Sequence, residues 1–214
     1  MPNTRPLTLN PAVTGGEEAA SWLDKQPEEV RRTTHLTHGG GLAQRAVVEP
    51  GAFVDPTAQL IGGMIVSKGC YIGPYAVIRL DEKPDAMPLV IGADTNIQDC
   101  AIVHSTTQRI GARVIVAHQA IVHGAVVEDD VTIYIQAVVD GGGTVIGRGC
   151  FIHQGAYVGK GIKVPAGRYV EPGQKVLTQE QADALGPIPD ALVHVRDHVM
   201  ELNESHARRH LAGG

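Results

Sequence analysis

Large aromatic side chains are scarce in this chain: two Phe, five Tyr and one Trp in 214 residues. That scarcity excludes a globular interior built around ring packing, because such rings supply much of the bulk of ordinary cores. Cysteine is rarer still, at three, and no two form a C-x-x-C pair. Neither a disulfide scaffold nor a cysteine-held zinc knuckle is expected, and the thiols read as reduced. Positive charge is in deficit, with 18 Lys and Arg against 23 Asp and Glu and a formal net charge of −5. A nucleic-acid partner, which wants a basic surface, is therefore not expected. No apolar run reaches the length of a spanning helix, so no membrane partner is expected. The opening MPNTRPLTLN lacks the basic-then-apolar layout of an export signal. The default expectation is a cytoplasmic protein.

What the chain has instead is glycine, 26 residues of it, and branched aliphatic residues at a fixed interval. From Val48 to about Val176 one recurs every six positions, as in VEPGAF from Val48, IGADTN from Ile91, VAHQAI from Val116 and IGRGCF from Ile146. A short repeat of this kind signals a β-helix, whose strands stack on those of the next coil. In the left-handed form three hexads close one triangular coil, so residues about eighteen apart share a face. The predicted fold is mainly β: a left-handed parallel β-helix over 46–176, an N-terminal arm over 1–45 and a C-terminal helical segment over 177–214. Trp22 is the arm's candidate anchor. Residues 80–90, LDEKPDAMPLV, form an excursion from the coil, and smaller register slips fall at Arg109, near Val126 and at Gly141–Gly143. Cys70 and Cys150 occupy the inward fifth hexad place, whereas Cys100 occupies the fourth. Thr178–Leu185 reads as a short helix capped by Thr178. From about Asp190 to Leu211 an amphipathic helix is expected, with Leu192, Val195, Val199 and Leu202 on one stripe.

Counting hexads assigns faces. One face carries Leu60, Ile78, Val103, Val122, Val139 and Val158 at its first places, with Ile61, Arg79, His104, His123, Asp140 and Gly159 following them. Arg79, His104 and His123 thus form an outward column on successive coils. His104 and His123 are nineteen apart, with Arg109 as the single insertion. They are expected one strand spacing apart, ~4.8 Å, close enough for two imidazoles to grip one ion. His118 belongs to the preceding face, stacked below Asp99. One chain cannot bring all three rings to a point, but neighbouring chains of a homotrimer can. A lone histidine on such a surface is ordinarily solvated. Three within one short stretch, two of them in vertical register, call for another account. Three neutral imidazoles with an open fourth place describe a catalytic zinc site, and iron(II) or cobalt(II) suits the same ligands. The pairs His194/His198 and His206/His210 read as solvated helix faces.

Several stretches carry a family resemblance: RLDE from Arg79, NIQD from Asn96, VHS from Val103 and VAHQAIVHG from Val116. Together with the final helix they resemble the gamma-class carbonic anhydrases, hexapeptide-repeat proteins of the left-handed β-helix type. The resemblance implies a lyase that hydrates CO2 to bicarbonate through a metal hydroxide held by three histidines at a subunit interface. It assigns His104, His118 and His123 as metal ligands, with His118 supplied by the adjacent chain. Gln98 matches the residue that orients the nucleophile, Asn96 the residue that positions that glutamine, and Glu82 an active-site carboxylate. Asn203 matches a residue that helps place CO2 or bicarbonate. Arg79, Asp81 and Asp99 match an interface ion cluster. Two departures stand out. Thr107 occupies the place of a proton-shuttling glutamate and the acidic loop around it is missing, so a low rate is expected; Tyr134 replaces a common glycine. The rival readings are a hexapeptide-repeat acyltransferase using coenzyme A and a non-catalytic metal-binding scaffold of the same fold.

Overall fold

Each hexad builds one short strand and one corner. The branched residue at the first place turns inward, and Leu60, Ile72, Ile97, Val116 and Ile133 are all fully buried. At the fourth place the backbone swings into the left-handed region, with φ of 57° at Tyr75, 59° at Cys100 and at Gln119, and 58° at Gln136. Non-glycine residues adopt that conformation at a cost on the order of 1 kcal/mol each. Hydrogen bonds between coils run through these corners and offset the cost, as when Gln119 N–H donates to the Asp99 carbonyl and Gln136 N–H to the His118 carbonyl, both at 3.1 Å. The fifth place then points inward and takes a small side chain: Cys70, Ala76, Ala101, Ala120, Ala137 and Cys150 are buried there. Alternation of branched and small residues fills a narrow interior without rings.

The computed structural model of the chain describes residues 46–80, 89–105 and 109–212. The expected N-terminal arm with Trp22 lies outside them, as do Asp81, Glu82 and Thr107. The described strands form three parallel seven-stranded sheets, the faces of a left-handed β-helix. The first face runs from Ala46–Val48 to Lys163–Val164, the second from Phe53–Val54 to Tyr169–Val170, and the third from Gln59–Ile61 to Lys175–Val176. Leu60, Ile78, Val103, Val122, Val139 and Val158 stack in that order along the third face. The excursion does not disturb pairing on either side: Leu80 pairs with Ser105, and Leu89 with Met64. The insertion at Arg109 is likewise absorbed, for Arg109 pairs with Val90 while His104 still pairs with His123.

Beyond the last coil, helix α1 (Gln179–Asp183) is capped by Thr178, whose side chain accepts from Gln181 N–H in a reciprocal capping box. Helix α2 (Asp190–Ala212) runs back along the second face, from Leu192 and Val193 beside Phe151 to the strands Phe53–Val54 and Tyr71–Ile72. It closes over outward residues of that face, so that Ile115 and Phe151 are buried. Among the described residues no helix is long and apolar enough to cross a membrane.

Candidate metal centre

The third face presents a polar column beside an apolar one. Arg79, His104 and His123 stand in backbone register on successive coils. The rings of His104 and His123 stack with centroids 5.1 Å apart and planes 28° from parallel. This is the strand spacing carried out to the side chains. One coil further, Asp140 occupies the same hexad place. Its Oδ1 lies 3.0 Å from His123 Nδ1 and accepts the Gly141 N–H at 2.7 Å, while its Oδ2 accepts the Tyr157 hydroxyl at 3.0 Å. The His123 hydrogen bond, then the Gly141 N–H, hold the Asp140 carboxyl below the usual carboxylate range, and the bond to Asp140 raises the Tyr157 phenol above its own. Gly141 is required here, because a Cβ at that position would run into the His123 carbonyl oxygen.

His118 stands on the second face, one residue before the left-handed corner at Gln119. Its Nδ1 lies 3.8 Å from Asp99 Oδ2, with both side chains about half exposed. It opens into a cleft of about 330 Å³ between the second face and α2, whose wall also includes Gln98, Tyr71, Tyr134, Val199 and Leu202. Gln98 is buried at 6% exposure although its residue lines this cleft. Asn96, equally buried, donates from Nδ2 to Met200 Sδ on α2 at 3.7 Å, and its Oδ1 has no hydrogen-bond partner among the described residues. That contact ties the second face to the helix. Tyr134 packs edge-on against His153, ring centroids 5.3 Å apart, and takes up space that a glycine would leave open.

Two of the three predicted ligands are thus adjacent and the third is on another face. Among the described residues of one chain, no group of three or more His, Cys, Asp or Glu side chains is placed to hold a metal ion. Arg79 is exposed and pairs in register with His104. Asn203 falls within α2, directly after the cleft residue Leu202, but its side chain is outside the described set. Asp140 and Tyr157 carry no assigned role in the sequence reading. The signal for Asp140 was nonetheless present, since it shares the second hexad place with both histidines. Tyr157 gives no such signal, because its hydroxyl reaches Asp140 from a sixth place on the following coil.

No family model matches the chain. The carnitine operon protein CaiE of Escherichia coli K12 is 40% identical over 105 residues, covering 48% of this chain and 51% of that protein. The CaiE of Escherichia coli O157:H7 is 41% identical over 96 residues, covering 44% and 47%. Among solved structures, a Bacillus cereus protein assigned as an acetyltransferase superposes with a TM-score of 0.60 at 24% identity, covering 77% of this chain and 93% of that one. The chain is a hexapeptide-repeat β-helix protein. This hexapeptide-repeat protein spans about half the length of the curated relatives it matches.

Proposed function

We propose that this hexapeptide-repeat protein is a homotrimeric enzyme of the gamma-class carbonic anhydrase type, hydrating CO2 to bicarbonate. In that reading His104 and His123 of one chain and His118 of a neighbouring chain hold a divalent cation, zinc first, with iron(II) or cobalt(II) accepted by the same donors. The observation that carries it is the His104–His123 stack backed by a carboxylate, Asp140. Paired imidazoles with a carboxylate behind one of them are a donor set suited to a metal, and the third donor fits a neighbouring chain because His118 projects from another face. When bound, such a cation supplies a nucleophile from water near neutral pH.

The chain's own residues have distinct tasks. Gln98, held in a largely buried slot, offers its amide to orient the attacking oxygen. The apolar part of the wall, with Ile115 and Val199, suits an unhydrated, non-polar substrate such as CO2. Glu82 is the carboxylate assigned to move the proton, and Asn203 the residue assigned to bicarbonate. Arg79, Asp81 and Asp99 are left to join chains.

Acyl transfer from coenzyme A is the second reading. The cleft favours it, because about 330 Å³ lies within the range of organic-ligand pockets and exceeds what CO2 needs. Stopped-flow CO2 hydration on anaerobically purified protein, with metal content measured on the same sample, decides. The expected result is hydration that scales with metal, approaching one ion per chain. Metal-independent consumption of acetyl-coenzyme A with no hydration would sink the first reading in favour of the second.

A further inference from the structure

The carboxylate of Asp140 is held from three directions. Its Oδ1 takes the Gly141 N–H at 2.7 Å and faces His123 Nδ1 at 3.0 Å; its Oδ2 takes the Tyr157 hydroxyl at 3.0 Å. The coil stacking puts it there, because Val122 pairs with Val139 and the next residues, His123 and Asp140, occupy equivalent places. Gly141 lets the chain turn against the His123 carbonyl and aim its own N–H at the carboxylate. With both oxygens engaged, rotation of the carboxylate would break at least one of these bonds.

We propose that Asp140, secured by Tyr157, is the positioning residue for His123: it holds the imidazole in the tautomer with its proton on Nδ1 and so dedicates Nε2 to the metal. The proposal rests on the reading of His123 as a ligand. An ionised carboxylate only accepts hydrogen bonds, so the nitrogen facing it must carry the hydrogen. A histidine side chain free in water favours the opposite tautomer, with its proton on Nε2. Fixing the less populated form removes a cost from metal binding, and the carboxylate also makes the ligand nitrogen more basic. The Tyr157 hydroxyl acts one step further back, by holding the carboxylate and not the ring.

Two measurements test this on the whole 214-residue chain: long-range ¹⁵N imidazole NMR of the metal-free form above the imidazole titration range, and zinc affinity by competition with a chromophoric chelator. In the wild type, His123 is expected with Nδ1 protonated. Asp140→Ala should move it towards the Nε2-protonated form and weaken zinc about 10- to 100-fold. Tyr157→Phe, which keeps the carboxylate and the Gly141 turn, should weaken zinc by a smaller factor without altering the circular dichroism. It keeps the test open if Asp140→Ala fails to fold. A wild-type His123 protonated on Nε2, or zinc affinity unchanged in both variants, overturns the proposal. Zinc affinity unchanged by His123→Ala instead defeats the metal reading, and with it the ligand half of the proposal, whatever the tautomer.

Discussion

Place within the hexad governs what a side chain can do, and the three cysteines show it. Cys70 and Cys150, at the inward fifth place, are buried with their Sγ atoms against the carbonyls of Gly92 and Pro165. Burial pushes the Cys70 thiol up to about 12 and the Cys150 thiol up to about 11. Cys100, one place earlier in its hexad, is exposed at a left-handed corner. The thiolate is the reactive form. Native protein near pH 8 is therefore expected to react with a chromogenic disulfide at one thiol per chain, lost in Cys100→Ser, with the other two appearing only in denaturant. Rapid labelling of all three in the native state would contradict the assigned burial. The same rule of place brings His104, His123 and Asp140 into one column, where side chains far apart in sequence become neighbours.

Helix α2 matters at the next scale because it converts an open β face into a cleft. Without it, Asn96, Ile115, Thr132 and Phe151 would face solvent; with it they are buried, at 3%, 1%, 2% and 2% exposure. The covering is imperfect in its polar chemistry, since Asn96 Oδ1 and Thr132 Oγ1 lack hydrogen-bond partners among the described residues. Each buried unpaired group of this sort costs about 1–3 kcal/mol, so the seal rests on apolar contact. The β-helix itself does not depend on α2, because its interior is filled by first- and fifth-place residues. Truncation before Asp190 is expected to keep the β-type circular dichroism while increasing binding of a dye that reports exposed apolar surface. Under the proposed CO2 hydration it should also lower kcat/KM for CO2, because the cleft that Gln98 shares with Val199 and Leu202 is opened. Loss of the β signal on truncation would show that the coils need the helix to fold.

At the scale of the whole molecule, the three proposed ligands divide between faces. His104 and His123 stand on the third face and His118 on the second, so the proposed three-histidine site requires chains packed side by side. The expected assembly is a trimer with one site per boundary. Mixing His104→Ala chains with His118→Ala chains, after subunit exchange, should restore part of the metal binding that each parent lacks. A boundary in such a mixture can join an intact His118 to an intact His104–His123 pair. No recovery once exchange has been demonstrated would rule out the shared site.

The six-residue repeat made the coils, their faces and the His104–His123 stack legible from the residues alone, for a physical reason. In a β-helix, position along the chain sets both height and face, so register follows from counting aliphatic residues. Even the Arg109 insertion did not spoil the count, because the pairing of the two histidines survives it. The capped helix at Thr178 and the long helix from Asp190 were legible through local signals of the same kind. What counting could not reach are the contacts made by side-chain direction and by the returning chain. Asp140 was visible as a member of the column, but its grip on His123 depends on a rotamer locked by Tyr157 and on the turn at Gly141. The Asn96 contact with Met200 was equally out of reach, because α2 folds back from more than a hundred residues away. Period and place settle the backbone of this protein; tertiary packing decides which polar atoms meet, because those distances depend on how separate elements close over one another.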